Sequence, residues 1–163
     1  MIIRKILHIF QINENLTGNQ YINFIEDLYE VPMEERELNV NYLSELFEMK
    51  SFLNNIISSY SHGMKQKLVI IAALAHSPKL LIMDEPFVGL DPKSAYLLKE
   101  EMKKLSNSGN AIFFSTHVLD VAEKLCNKIA MIDKGKLIYE GETKTILDRY
   151  SGLEEYFMEM IGK

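Results

Sequence analysis

The sequence predicts an α/β fold, and two short apolar runs with a helix between them are the main evidence. Residues 80–83, and residues 111–114 of the predicted strand 111–115, are apolar at successive positions, as in parallel strands that are covered on both faces. Between them, residues 92–107 carry apolar side chains at helical spacing behind Asp91-Pro92, a pair typical of a helix start. A strand, a helix and a second strand in this order form one unit of an open parallel sheet.

Three helices are predicted before this unit, over residues 17–31, 34–49 and 61–76. Thr17 with Gln20 three residues later forms a capping-box pattern at the start of the first helix. Tyr21, Phe24, Ile25 and Leu28 recur along this helix at helical spacing. The second helix is expected to carry one apolar stripe, and the third to bury much of its length. The stripe of the second helix consists of Leu38, Tyr42 and Leu46.

A hairpin and three short helices are predicted after the unit. Residues 128–132 and 136–140 flank Asp133-Lys134-Gly135, a turn signal between two antiparallel strands. One helix is expected before the hairpin, over residues 118–125, and two after it, over residues 142–150 and 153–161. The predicted order along the chain is therefore three helices, the parallel strand-helix-strand unit, one short helix, the hairpin and two further helices.

Composition limits the classes of protein that the chain can represent. Its 163 residues are enough for one domain, and 18 basic against 23 acidic residues give a net charge of -5. This charge gives no reason to expect binding to nucleic acid. The longest apolar run, residues 68–75, is far shorter than the roughly 20 residues that span a bilayer. A single cysteine, Cys126, fits a reducing compartment.

Polar residues follow both strands of the parallel unit. Asp84 and Glu85 end the first strand, and Thr116-His117 ends the second. Ligands of open parallel sheets bind beyond the carboxyl ends of the strands. Asp84 is therefore expected to hold a hard cation beside phosphate groups, while Glu85, pointing elsewhere, polarises an attacking water. An acidic turn after a strand is common by itself, so the weight of this prediction comes from the motifs around it.

Four motifs in one order carry a resemblance to a known family. These motifs are Tyr60-Ser61-His62-Gly63-Met64-Lys65-Gln66-Lys67, Asp84-Glu85-Pro86, Gly89-Leu90-Asp91-Pro92 and Ser115-Thr116-His117. In this order they closely resemble the nucleotide-binding domain of ATP-binding-cassette (ABC) proteins, with its signature motif, Walker B strand, D-loop and switch histidine. The helical subdomain of the exporter branch is similar to this chain at residues 16–21, 24 and 28–29. The closing hairpin of that branch is similar to this chain at residues 135–141.

The resemblance implies a partial P-loop NTPase-like fold of three layers, with a helical subdomain and a C-terminal hairpin plus helices. Residues 16–77 would form the helical subdomain, which ends in the signature-motif helix. Residues 78–163 would form the C-terminal part of the RecA-like ATPase core. Residues 1–15 are atypical for the family, and Gln11, the one candidate there for the family's glutamine loop, is expected to be incidental.

Site roles follow from the resemblance, residue by residue. Asp84 becomes the Mg²⁺ ligand, Glu85 the general base and His117 the sensor of the γ-phosphate. Ser61, Gly63 and Asp91 would contact ATP held by the opposite subunit of a head-to-tail dimer. Ser61 and Gly63 open a helix, whose free N–H groups attract anions. The other histidines, His8, His62 and His76, are expected to be satisfied or solvated. Lys65 and Lys67 could simply be solvated and are assigned no role.

The phosphate loop of such proteins is the feature that this sequence does not contain. A G-x-x-x-x-G-K-[ST] segment brings backbone N–H groups and a lysine onto the phosphates. The nearest candidate, Gly135-Lys136, continues into Leu137. The chain is therefore expected to be a truncated form that is inactive alone, since positioning and charge neutralisation supply nearly all of phosphoryl-transfer catalysis.

The function implied by the resemblance is that of the ATP-binding and ATP-hydrolysing subunit of an ABC exporter. Its cofactors would be ATP and Mg²⁺, and its partners a second ABC ATPase subunit and a transmembrane permease. The permease would hold it at the inner, cytoplasmic face of the plasma membrane.

Three alternatives stay open. The chain could be a non-catalytic module that donates Ser61, Gly63 and Asp91 to ATP on a full-length partner. It could be a remnant of a disrupted gene. A non-transport ABC protein is a weaker option.

We also expect an exposed apolar patch and an unpaired sheet edge, because both parallel strands need cover on two faces.

Overall fold

A computed structural model describes residues 13–162 of the chain. The expectations for residues 1–12, including Gln11 and His8, lie outside the described residues. By its internal contacts the chain divides into two compact units, one ending at Ser115 and one beginning at Thr116. The division into family subdomains at residues 77 and 78 stays a prediction.

The first unit contains four α-helices and two strands within its described part, in the predicted order. The helices are α1 (Gly18–Leu28), α2 (Met33–Leu46), α3 (His62–Ala75) and α4 (Pro92–Asn107), and the strands are β1 (Leu80–Asp84) and β2 (Ala111–Ser115). Two short 3₁₀ turns, Lys50–Phe52 and Ile57–Ser59, connect α2 to α3. The predicted element types are confirmed, with bounds that differ by a few residues.

The capping box predicted for α1 is present, because Thr17 accepts the N–H of Gln20 and the Gln20 side chain accepts the N–H of Thr17. The helix buries Tyr21, Ile22 and Ile25. Two apolar residues of the predicted pattern, Phe24 and Leu28, are instead half-exposed. Helical spacing places them on a neighbouring face that nothing in the described structure covers.

The apolar stripe predicted for α2 is wrong at Leu38 and Tyr42, while its third member, Leu46, packs against the core. Leu38 and Tyr42 are exposed, and the helix buries Leu43 instead. The core contacts of this region come from its C-terminal end and from Phe47 and Met49 just beyond it. The hydroxyl of Tyr42 has a polar role, since it donates a 2.7 Å hydrogen bond to Glu101 of α4.

Helix α3 forms the centre of the first unit. Seven of its residues between Leu68 and Ala75 are buried, so this helix is apolar on nearly every side over its C-terminal half. Helices α1 and α2 both pack on it, and β1 contributes Leu81 and Met83 to the same core. The burial predicted for the third helix is confirmed.

The two strands pair in parallel, with Asp84 opposite Ser115 at the carboxyl end. Within residues 13–162 they pair only with each other, so this sheet has two strands. Strand β2 alternates between half-buried and exposed side chains, and Phe113 is 63% exposed. The described residues therefore do not cover both faces of β2, and the predicted exposed apolar surface is present there.

The second unit consists of helices around an antiparallel hairpin. Its elements are α5 (Leu119–Leu125), β3 (Lys128–Asp133), β4 (Lys136–Glu142), α6 (Thr143–Leu147) and α7 (Leu153–Ile161). Lys134 and Gly135 both have positive φ, as a two-residue type I′ hairpin turn requires. Met131, Ile146 and Leu153 form its core. No helix in the described part of the chain is both long and apolar enough to cross a membrane.

Candidate functional site

The end of strand β1 places two acidic residues around one serine of β2. Because the strands are in parallel register, Asp84 lies opposite Ser115. The Ser115 hydroxyl donates a hydrogen bond to Oδ1 of Asp84 and accepts the N–H of Glu85 at 3.1 Å. Asp84 is exposed at this edge. Sequence reasoning assigned no role to Ser115, although the predicted parallel register would have placed it beside Asp84.

Glu85 adopts an uncommon backbone conformation, with a φ of 45°. A residue with a β-carbon enters this left-handed region at a cost, and such residues cluster at functional sites. The conformation turns the chain sharply after β1, so Asp84 and Glu85 are not two successive residues of one strand. The buried Pro86 follows, and its carbonyl accepts a 3.2 Å hydrogen bond from Gln66 of α3.

Ser61 begins helix α3 as its N-cap. Its hydroxyl oxygen accepts the N–H of Met64 at 3.3 Å. Capping therefore explains a serine here without any ligand. Gly63 also has a structural reason, because a β-carbon at this position would lie 2.9 Å from the carbonyl oxygen of Gly89. The role of both residues toward a phosphate stays a prediction.

The loop of residues 85–91 packs closely against the start of α3. Gly89 has a φ of 81°, and a β-carbon there would lie 2.6 Å from Cδ2 of His62. Glycine is thus required at this position both by the backbone and by the neighbouring ring. The expectation that His62 is merely satisfied or solvated missed this contact. The signature-like and D-loop-like segments of the same chain touch each other here.

Asp91 joins the same loop to two helices. Its carboxylate caps α4 by accepting the Ser94 N–H at 2.9 Å, and it forms a 2.9 Å ion pair with Lys67 of α3. The Ser94 N–H and Lys67 hold the pKa of this carboxyl well below its usual range. Lys67, to which sequence reasoning assigned no role, thus forms an ion pair within the first unit, and Lys65 likewise pairs with Glu14 at 2.5 Å.

His117 belongs to the second compact unit, where it is exposed and lies two residues beyond the end of β2. The structure thus brings Asp84 and Glu85 together at Ser115, and it brings Ser61 and Gly63 to the loop that carries Asp91. Residues 13–162 contain no group of three or more His, Cys, Asp or Glu side chains that could hold a metal ion. A cation on Asp84 would therefore need ligands from water or from a bound phosphate.

Comparison with known proteins identifies the class. A family model described as "AAA domain, putative AbiEii toxin, Type IV TA system" matches residues 3–119, which is more than half of the chain. The solved chain described as "Structure of ATP binding subunit of ABC transporter" is 30% identical, with a TM-score of 0.85. That likeness covers 91% of this chain and 63% of the solved one. The fold and these two matches thus define an ATP-binding domain.

Curated relatives give the narrower family. NatA, an ABC transporter ATP-binding protein of Bacillus subtilis (strain 168), is 29% identical over 91% of this chain and 61% of its own length. YthP, an uncharacterized ABC transporter ATP-binding protein of the same organism, is 35% identical over 86% of this chain and 59% of its own. Nod factor export ATP-binding protein I of Cupriavidus pinatubonensis is 38% identical over 72% of this chain and 36% of its own. The chain belongs to the ABC transporter ATP-binding proteins. It spans about three fifths of the length of NatA and YthP.

Proposed function

We propose that this chain supplies the water-activating edge and the signature segment of an ATPase subunit in an ABC exporter. The observation that carries the proposal is the arrangement at the carboxyl ends of β1 and β2. There Ser115 links the carboxylate of Asp84 to the backbone of Glu85, which leaves the strand with a positive φ. Two acids held in different backbone conformations suit two different roles.

Mg²⁺ is the cation that fits Asp84. The donors at this edge are carboxylate and hydroxyl oxygens, and Mg²⁺ in ATPase sites takes one or two carboxylates together with water and substrate phosphates. When bound, the ion neutralises charge on the phosphates. Glu85 then accepts a proton from the attacking water, and His117 donates a hydrogen bond to the γ-phosphate.

Ser61, Gly63 and Asp91 contribute to a second nucleotide in this proposal. Helix α3 directs its N-terminal N–H groups outward at Ser61, and these groups favour an anion. The contact between Gly63 and the Gly89 carbonyl holds the helix start against the loop of Asp91. An opposite ABC subunit, arranged head to tail, would carry the ATP that this surface meets. A permease would complete the exporter at the cytoplasmic face of the plasma membrane.

A second candidate function is that of a non-catalytic donor. The 163 residues contain no G-x-x-x-x-G-K-[ST] segment, so this polypeptide alone is expected to hydrolyse ATP negligibly. The donor surface does not depend on that segment, since the Ser61 cap and the Asp91 ion pair are formed within residues 61–94. A donor of this kind would raise ATP retention on an intact partner.

The experiment measures binding of a fluorescent ATP analogue to the purified chain, first alone and then mixed with an intact ABC ATPase subunit. We expect weak binding alone and stronger retention in the mixture. Ser61→Ala should remove the gain, and so should Ser61→Asp, which keeps the helix cap but places a negative charge where a phosphate would lie. The exposed Ser58→Ala is the matched control.

Two outcomes would contradict the proposal. Micromolar binding by the chain alone would contradict the expectation that nucleotide binding needs the G-x-x-x-x-G-K-[ST] segment. Equal retention by the wild-type chain and both Ser61 variants would exclude the signature segment as a donor. Circular dichroism of each variant separates loss of binding from loss of the α3 cap.

A further inference from the structure

Helices α1 and α2 enclose a groove of about 700 Å³ on the first unit, which we call the Glu26 groove. Its wall includes the polar side chains of Asn23, Glu26 and Arg36 and the apolar side chains of Met33 and Val40. None of these residues belongs to the four motifs of the nucleotide site. The proposed function therefore leaves the groove without a role.

Glu26 is the unusual member of this wall. The residue is 0% exposed, and neither carboxylate oxygen has a hydrogen-bond partner among the described residues. Burial raises the pKa of this carboxyl, against an opposing effect of Arg36. A buried carboxylate without a partner is strongly unfavourable, and natural proteins normally pair such groups.

The neighbouring cation does not provide that pair. Arg36 donates from Nε to the Val31 carbonyl at 2.7 Å and from its terminal nitrogen to Asp27. These two bonds direct the guanidinium toward the end of α1, and Glu26 forms no ion pair with it. The groove therefore contains an acid beside a basic side chain that is engaged elsewhere.

The groove is separate from the exposed apolar face of α1. Successive helical residues are about 100° apart, so Glu26 lies about 200° around the helix from Phe24. Asn19 and Asn23 share the side of Glu26, at positions i−7 and i−3, and both line the groove. A ligand in the groove would thus leave Phe24 and Leu28 uncovered.

The chemistry of the wall favours an organic cation over a metal ion. The described residues hold no cluster of three metal-binding side chains, and Glu26 is the one fully buried acid of this wall. Met33, which is 81% exposed, and Val40 offer apolar surface of the kind that covers an alkyl stem. Side-chain amides can accept hydrogen bonds from an ammonium group.

We propose that the Glu26 groove binds an alkylammonium group, with its alkyl stem against Met33 and Val40 and its ammonium paired with the Glu26 carboxylate, which the side chains lining the groove uncover by moving outward as the ligand binds. The group could belong to a free amine or to a lysine side chain of a partner polypeptide. Both sources present the same cation and stem to the wall. The pairing would satisfy a buried acid for which the described residues provide no partner.

The experiment titrates n-butylammonium chloride into the full chain, labelled with ¹³C at glutamate carboxyls, and follows their NMR shifts. We expect one carboxyl signal, absent in Glu26→Gln, to move on titration. Glu26→Gln should bind at least about tenfold more weakly than wild type. Glu37→Gln is the matched control, because it removes the same charge from an exposed residue of the same groove. Its affinity should stay within about twofold of wild type.

Thermal unfolding provides a readout that does not depend on labelling. Glu26→Gln should raise the Tm without ligand, since it removes a buried charge, and should abolish the rise in Tm that n-butylammonium gives wild type. Sodium chloride at the same concentration is the salt control. Should Glu26→Gln fail to fold, the exposed Met33→Ser tests the stem contact instead, with an expected loss of about threefold in affinity.

A lysine-containing tripeptide distinguishes the two sources. Binding at least about tenfold tighter than n-butylammonium supports a lysine of a partner chain, while equal or weaker binding supports a free amine. Equal n-butylammonium binding by wild type and Glu26→Gln would overturn the proposal. Equal losses in Glu26→Gln and Glu37→Gln would also overturn it, because they would indicate attraction by net charge alone.

Discussion

The helical part of the first unit and its two-stranded sheet differ sharply in how completely they bury their apolar residues. In the helical part, Ile25, Phe47 and Leu68 are at most 1% exposed and meet in one core. In the sheet, β2 leaves Phe113 63% exposed on one face. Three helices joined by short turns can cover one another, whereas a parallel strand pair needs further layers on both faces. Stability is therefore expected to come from the helices, and solubility to be limited by the strands.

The largest expected effect distinguishes these two regions directly. Leu68→Ala removes a fully buried side chain from α3 and should lower the free energy of unfolding by about 2–5 kcal/mol. Phe113→Ser should change it by less than about 0.5 kcal/mol and should reduce aggregation. Urea denaturation and light scattering measure the two quantities. Similar destabilisation by both substitutions would show that the sheet contributes as much core as the helices.

The next substitutions test the contact between helix α3 and the loop of residues 85–91, which follows β1. Gly89→Ala and Gly109→Ala both force a β-carbon into positive φ, at a cost of about 1–2 kcal/mol each. Only residue 89 faces a neighbour, because nothing lies within 4 Å of a β-carbon at residue 109. Gly89→Ala should therefore destabilise more than Gly109→Ala.

The additional cost at residue 89 should disappear when His62 is shortened. A double-mutant cycle of Gly89→Ala with His62→Ala, measured by urea denaturation, isolates this term. Additive effects of the two substitutions on the free energy of unfolding would mean that the 85–91 loop can move away from α3 at no cost in stability.

A smaller effect is expected at the start of the helical part. Thr17→Ala removes the capping box of α1 and should lower the free energy of unfolding by about 1 kcal/mol. Thr17→Ser keeps a hydroxyl in place and is the matched control. Thermal unfolding of the two variants is the measurement, and equal Tm values for both would show that the cap does not stabilise the helix.

The smallest effect concerns pH. The pKa of Asp91 is lowered in the folded chain. Its ionised carboxylate therefore adds to the free energy of unfolding above the ordinary pKa of about 4. This contribution is lost progressively as the pH falls from that value toward the lowered pKa of the folded chain. Asp91→Asn keeps a good cap but removes the ion pair with Lys67. Because Asp91 is partly exposed, the difference from wild type should be below about 1 kcal/mol at pH 6. Denaturation at pH 6 and pH 3 should show it shrinking at the lower pH; a constant difference would contradict the ion-pair explanation.

Local signals explain why so many elements could be predicted from the sequence. Asp91-Pro92 marks the start of α4 and Lys134-Gly135 the hairpin turn, and both are confirmed because the residues concerned interact with their immediate neighbours in the chain. The stripe of α2 was wrong at Leu38 and Tyr42 for the opposite reason. Which face of that helix is buried depends on α3 and on Phe47 beyond it, which helical spacing alone cannot include.

The candidate site shows the same limit. Asp84 and Ser61 could be singled out because each ends or begins a predicted element. The partners Ser115 and Lys67 were missed because their contacts join residues about 25 to 30 positions apart in the chain. The parallel strand register brings Ser115 to Asp84. The packing of the 85–91 loop on α3 brings Lys67 to Asp91.

The close packing of His62 against Gly89 also restricts the order in which this sequence can change over evolutionary time. A lineage that first replaced Gly89 would meet both the ring of His62 and an unfavourable backbone angle. A lineage that first shortened residue 62 would remove one of these obstacles before the second substitution arose. Descendants with a side chain at residue 89 should therefore have passed through ancestors with a small residue at position 62.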